Sequence, residues 1–359
     1  MSDVKAAAVD VSAAWNSVVG QRQAVAALQA WSHDPVHAYL FVGPPGSGKR
    51  QAARAFSAAV QAQRFEGDAI ARDRQMRLAL EDKHPDVEIH EPAGAGLLVE
   101  GAKAITGAVF RSPVDGPRRI VVVDRFHDAQ PSAAAALLKT VEEPPATALI
   151  ILLAESVPAE HVAIASRCSQ IDFPPLSHHD LFEWLTGQGV SDEQAPLLIE
   201  ASAGDLRRLS LLMNDTGFAD RAGLWRALPT TIDGTGATAG RLVRELTEMI
   251  ASASEPLAAR HRVELEELDA REQALGTRGS GRSGIDARHK RELRRLRTDE
   301  LQFGLRVLAR RYGRAVAQGG SASLVEALGR LRDANEALGR NPNESLLLHN
   351  LFWNLPTLR

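Results

Sequence analysis

Between residues 18 and 173, short apolar runs rich in β-branched residues alternate with longer stretches of helical period. That alternation predicts a parallel sheet flanked by helices. Ala38-Tyr39-Leu40-Phe41-Val42 reads as a buried strand that runs into a glycine-rich turn and then an alanine-rich helix over residues 50–61. Two further strands are predicted at residues 119–124, ending in Asp124, and at residues 148–153. The helix between them, residues 132–143, stops at Pro144-Pro145, because proline cannot donate into the helical ladder and biases the residue before it out of the helix. After Phe173-Pro174-Pro175-Leu176 the strand signal fades. Short helices are predicted over residues 178–187, 192–203 and 205–214, a boundary loop at Asp233-Gly234-Thr235-Gly236, and helices over residues 240–252, 300–318 and 321–338. The predicted fold class is an α/β phosphate-loop core with a parallel sheet, followed by a small helical domain and a larger all-α domain. Its domains are residues 1–174, 175–232 and 233–359, with a charged insert at 255–299.

Composition narrows the class of protein. The 359 residues suffice for two or three domains, each with its own core. A single cysteine excludes an internal disulfide and a thiolate cage for zinc or iron–sulfur. The apolar run at residues 149–154 is far short of the ~20 residues that span a bilayer, and residues 1–15 lack an apolar export signal. The expectation is a soluble cytoplasmic protein. A net charge of −3 speaks against a polycationic nucleic-acid binder. Residues 288–297 nevertheless hold six Lys/Arg and one Glu, preceded by Glu264, Glu266, Glu267, Asp269 and Glu272. Two readings stand there: a helical hairpin whose arms pair acid against base around a flexible loop at residues 276–284, or a surface that touches DNA or another protein.

The candidate chemistry centres on Gly43-Pro44-Pro45-Gly46-Ser47-Gly48-Lys49-Arg50. Strand, glycine spacing and lysine match a phosphate-binding loop, in which Gly43, Gly46 and Gly48 free backbone N–H groups to converge on phosphate oxygens and Lys49 reaches the terminal phosphates. The next residue in such loops is serine or threonine, whose hydroxyl holds Mg²⁺; here it is Arg50, which has no lone pair for a metal. Asp124 ends a strand where the metal-orienting acid belongs, but it is followed by Arg125, which cannot act as a base near neutral pH. Both departures remove parts needed for hydrolysis.

Leu137-Leu138-Lys139-Thr140-Val141-Glu142-Glu143-Pro144-Pro145, Ser166-Arg167-Cys168, Gly20-Gln21 and His37-Ala38-Tyr39-Leu40-Phe41 together resemble the bacterial clamp-loader branch of the AAA+ ATPases. The resemblance runs over residues 18–208 and is to a subunit type that combines a degraded phosphate site with an intact Ser-Arg-Cys motif. It implies an AAA+ core, a helical lid and a helical collar. It implies that Arg167 is an arginine finger placed in a neighbour's ATP site, and that Arg207 is either the lid arginine touching phosphate in cis or a helix-face arginine holding the lid. The first-sensor position falls on Glu155, whose carboxylate would repel a phosphate. Asn341-Pro342-Asn343-Glu344 and the leucines that follow resemble the start of the closing collar helix. The family's four-cysteine zinc module has no ligands here, so residues 67–80 are expected as a charged helix without metal, with His84 as a capping or surface residue. Implied partners are the ATPase (gamma/tau) subunits, the clamp-opening delta subunit, the sliding clamp and, through the assembly, primed DNA. The implied cofactor is ATP or ADP held without turnover, with no zinc. The alternative is an ATP-hydrolysing subunit of the gamma/tau kind that uses its own loop.

Overall fold

The computed structural model describes residues 14–65, 67–92, 96–275, 282–319, 321–340 and 342–358. These divide into two compact units, residues 1–200 with 204–209 and residues 201–203 with 210–359. Residues 1–13, most of the expected loop at 276–284 and Asn341 lie outside the described residues.

In the first unit, helix α1 (Arg22–Trp31) precedes strand β1 (Ala38–Val42), which leads into α2 (Lys49–Ala62). There follow α3 (Ala69–Leu80), β2 (Val87–His90), α4 (Val99–Val109), β3 (Arg119–Val123), α5 (Pro131–Glu142), β4 (Ala148–Ala154), the single turn α6 (Val162–Ala165) and β5 (Ser169–Asp172). The five strands pair in parallel in the order β2-β3-β4-β1-β5. β3 and β4 are buried throughout, as their unbroken apolar runs require when both faces of a sheet are covered. Side chains alternate between two cores. Tyr39, Phe41, Ile120, Val122, Ile151 and Leu153 pack with α2 on one face. Leu40, Val121, Val123, Ile150 and Leu152 pack with α4 and α5 on the other. This parallel sheet, with the strand that leads into the glycine loop between β4 and β5, is the α/β core expected from the sequence. The strands β2 and β5 and the helix α4 add to the three strands read from the sequence. α3, capped by the Asp68 carboxylate at the N–H groups of Ile70 and Ala71, is the helix expected where relatives carry cysteines. α7 (His178–Gly187), capped by the Ser177 hydroxyl, lies in this unit, and α8 (Ala195–Ser202) and α9 (Leu206–Met213) begin in it.

The described part of the second unit contains no strand. It comprises α10 (Phe218–Thr231), α11 (Gly236–Leu275), α12 (Arg282–Ala317), α13 (Ala322–Leu338) and α14 (Glu344–Asn354). Neither arm of the charged insert is a helix by itself: the first is the end of α11, which runs through Pro256, and the second is the start of α12, which continues into residues 300–317. They form the hairpin of paired charges. Glu264 accepts from Arg288 and lies 2.8 Å from His289 Nε2, Glu292 lies 2.8 Å from His261 Nε2, and Asp269 pairs with Arg282. The His261 and His289 rings stack at 3.8 Å between these pairs. Among the described residues no helix is long and apolar enough to cross a membrane.

Candidate functional site

The loop at the C-terminal end of β1 is closely approached at two of its glycines. A side chain at Gly43 would collide with the carbonyl oxygen of Phe173, and one at Gly46 would enter Asp205. Gly46 and Gly48 have φ of +71° and +91°, the left-handed region that glycine enters without steric cost. Gln21 Nε2 donates to the Ser47 and Pro174 carbonyls at 2.9 and 2.8 Å, tying the loop to the segment after β5. Gln21 belongs to the Gly20-Gln21 pair noted in the sequence, but its role as a clamp depends on residues 26 and 153 positions away and has no local signal. The Lys49 ammonium donates to the carbonyls of Gly43 and Pro44 at 2.6 and 2.7 Å. Gly43, Gly46, Gly48 and Lys49 thus form one loop opening onto the N-terminus of α2, as their spacing predicts.

Arg50 points from the first turn of α2 toward the end of β3. Its guanidinium pairs with Glu91, lies 3.4 Å from Asp124 Oδ2 and 3.7 Å from Asp82 Oδ2. In this fold family a metal ion would sit between an oxygen donor at position 50 and the acid at 124. Here position 50 offers no oxygen, and a permanent cation already lies against the acid. The residues present do not fit a magnesium ion. Asp124 was legible from its place at a strand end. Glu91 and Asp82 were not, because they lie on separate loops with no motif around them.

Arg125 turns away from the loop. It has φ +51°, its N–H donates to Asp124 Oδ1 at 2.8 Å, and its Nε donates to Asp128 Oδ2 at 3.0 Å. Glu155 directly follows β4, beside the Gly43 N–H that donates to Ala154 O at 3.1 Å, and its carboxylate lies 3.6 Å from His127 Nε2. Asp205 reaches the loop from the other side: the Leu206 N–H donates to Gly46 O at 3.3 Å, while Asp205 Oδ1 caps α9 by accepting from the N–H groups of Arg207 and Arg208. The Arg207 guanidinium lies 3.5 Å from Asp205 Oδ2, so Arg207 faces its own helix cap beside the loop.

Arg167 is elsewhere. β5 begins at Ser169, which pairs in register with Tyr39 near the start of β1, whereas the loop begins at Gly43 beyond the end of β1. Ser169 lies level with Tyr39, ~13 Å before Gly43 at ~3.3 Å per residue, and Arg167 lies in the turn that precedes it, at the opposite end of the sheet from the loop. Its side chain is exposed and pairs with Glu142 at the end of α5, while Nη1 donates to Ala163 O at 2.5 Å. Neighbouring Cys168 packs against the core beneath α5, and burial pushes its thiol up to about 12.

His84 differs from its expectation. It is buried at 3% exposure, with Nε2 on Gln75 of α3 and Nδ1 accepting the Asp86 N–H at 3.0 Å. Asp86 in turn accepts the N–H groups of Val114, Asp115 and Gly116, each at 2.7 Å. Burial holds the His84 pKa below its usual value, in keeping with a neutral ring that accepts at one nitrogen and reaches the excursion helix through the other. The sequence placed this histidine at the end of the excursion but gave no sign that it is a buried tie.

Residues 20–177 match the family model described as "DNA polymerase III, delta subunit". The delta′ subunit of DNA polymerase III from Pseudomonas aeruginosa is 31% identical over 170 residues, covering 46% of this chain and 52% of that protein. In Bacillus subtilis the delta′ subunit is 25% identical, covering 52% of this chain and 56% of its own length, and the tau subunit is 28% identical, covering 53% and 35%. The chain spans about half the length of the delta′ relatives it matches. A solved gamma subunit-related protein from Thermotoga maritima aligns over 92% of this chain and 97% of its own at 15% identity, with a TM-score of 0.46. Across residues 20–177, then, the chain is similar to the delta′ subunits of DNA polymerase III from these two bacteria.

Proposed function

We propose that the chain is a delta′-type subunit of the DNA polymerase III clamp loader, active in the cytoplasm, that supplies Arg167 in trans to the ATP site of a neighbouring subunit. The observation that carries this reading is the placement of Arg167. It is exposed, and the length of β1 separates it from the chain's own loop, so its guanidinium can serve a phosphate only on another molecule. A planar, permanently charged guanidinium stabilises the charge that builds on a transferring phosphoryl group and is supplied from outside the site it serves. Here it would act only when the assembly has closed. The chain's own loop has the phosphate-binding glycines and Lys49 but lacks a metal-binding hydroxyl at Arg50 and a base at Arg125. ATP or ADP, if held between Lys49 and Arg207, is held without turnover and no zinc takes part. The lid and collar of the three-part division belong to the same proposal, with the helical second unit as the platform for assembly.

The proposed partners are gamma/tau ATPase subunits, the delta subunit and the sliding clamp on primed DNA. The test is reconstitution with these components. The expected result is that the chain co-elutes with the ATPase and delta subunits, is required for clamp loading, and alone hydrolyses no ATP. Steady turnover by the purified chain, abolished by Lys49→Ala, would instead establish the gamma/tau-like alternative.

A further inference from the structure

Most phosphate loops leave the metal to be recruited from solution with the nucleotide; this core carries a cation of its own in that place. We propose that Arg50 permanently occupies the divalent-cation position, making the loop indifferent to Mg²⁺, and that Asp124, Glu91 and Asp82 become a divalent-cation site only when the guanidinium is removed. The inference rests on the core's own geometry and goes beyond the role of Arg167.

Three carboxylates from three separate segments converge on one guanidinium: Asp82 after α3, Glu91 after β2 and Asp124 after β3. Arg54, one turn along α2, shares Asp82 through its Nε at 2.7 Å. Two fixed positive charges therefore face three negative ones. The guanidinium cannot vacate the position by losing its proton, because arginine stays charged at any pH a folded protein meets. It is held in place by its contacts with all three carboxylates, on a helix whose first turn starts at the left-handed Gly48. A divalent ion brought to Asp124 would stand within a few ångströms of this charge, and repulsion at that range in a partly buried site outweighs what one shared carboxylate returns. Removing the charge reverses the balance, because the same oxygens then form a hard, anionic, part-buried set suited to Mg²⁺ or Mn²⁺.

Mn²⁺ alone is the probe, with the free ion counted by electron paramagnetic resonance in titrations of the full chain. Arg50→Thr, which restores a hydroxyl, is expected to bind Mn²⁺ at least about a hundredfold more tightly than the unaltered chain. Arg50→Lys, which keeps the charge, is expected to stay with the unaltered chain, and Asp124→Asn in the Arg50→Thr background to lose the gain. Arg50→Gln gives the same reading should the threonine variant melt below assay temperature, and cooperative thermal unfolding certifies each variant as folded. Mn²⁺ binding by the unaltered chain as tight as that of Arg50→Thr would overturn the proposal. So would folded threonine and glutamine variants that gain nothing, or a lysine variant that gains as much as threonine.

Discussion

At the scale of single residues, spacing was informative wherever the chemistry is local. The loop glycines, Lys49 and Asp124 could be read because a strand, a turn and a helix follow one another without interruption. Glu91, Asp82 and the buried His84 tie could not, because each acquires its partner only when segments far apart in sequence meet. Arg167 and Cys168 show how sharply neighbours diverge. The arginine at the surface makes an exposed ion pair with Glu142, worth no more than about 1 kcal/mol, and a hydrogen bond to the Ala163 carbonyl within its own turn. Arg167→Ala should leave the midpoint of urea unfolding nearly unchanged, and a large shift would recast the residue as structural. Cys168, adjacent to it, is raised to about 12 by burial and holds little thiolate near neutral pH. Its reaction with a disulfide reagent should be slow in the native chain and become fast in denaturant; native labelling at the denatured rate would contradict the packing described.

At the scale of elements, strands with unbroken apolar runs were legible, whereas β2 and β5 were not. Val87-Glu88-Ile89-His90 and Ser169-Gln170-Ile171-Asp172 are edge strands of four residues, too short and too polar to stand out until the sheet places them. The charged hairpin was legible as acid against base, but its continuity was not. Helices this charged owe their continuity to packing at their far ends rather than to an apolar period. One such packing point is Gly304 of α12, where a Cβ would enter the ring of fully buried Trp225 on α10. Gly304→Ala should cost at least ~1–3 kcal/mol of stability, read as a lower midpoint in denaturant; an unchanged midpoint would mean the helices are farther apart. Within the hairpin, the hydrogen bond from Arg288, with a further one from His289, holds the Glu264 carboxyl below the usual carboxylate range. A depressed carboxylate stabilises the fold above its unfolded pKa of ~4.3, and that contribution is lost as pH falls through the depressed value. Glu264→Gln should therefore be less stable than the parent at neutral pH and converge with it in acid. A difference that persists in acid would place the effect elsewhere than in this pair.

At the scale of the whole molecule, an incomplete site and a displaced arginine fit one account. The loop end of the sheet carries the glycine loop and Lys49 with Arg50 paired to Asp124, and the opposite end presents Arg167 to solvent. The proposed function joins the two, with the chain's own site idle and Arg167 serving a neighbour's. The measurement that tests this most directly is ATP turnover by the reconstituted loader containing Arg167→Ala, with assembly verified on the same sample. An arginine finger is worth about 10³-fold or more at the site it serves. The account predicts that turnover falls by the share of that one neighbouring site while the complex stays intact, and that Arg167→Lys does not restore it. Normal turnover by an intact Arg167→Ala assembly would contradict it.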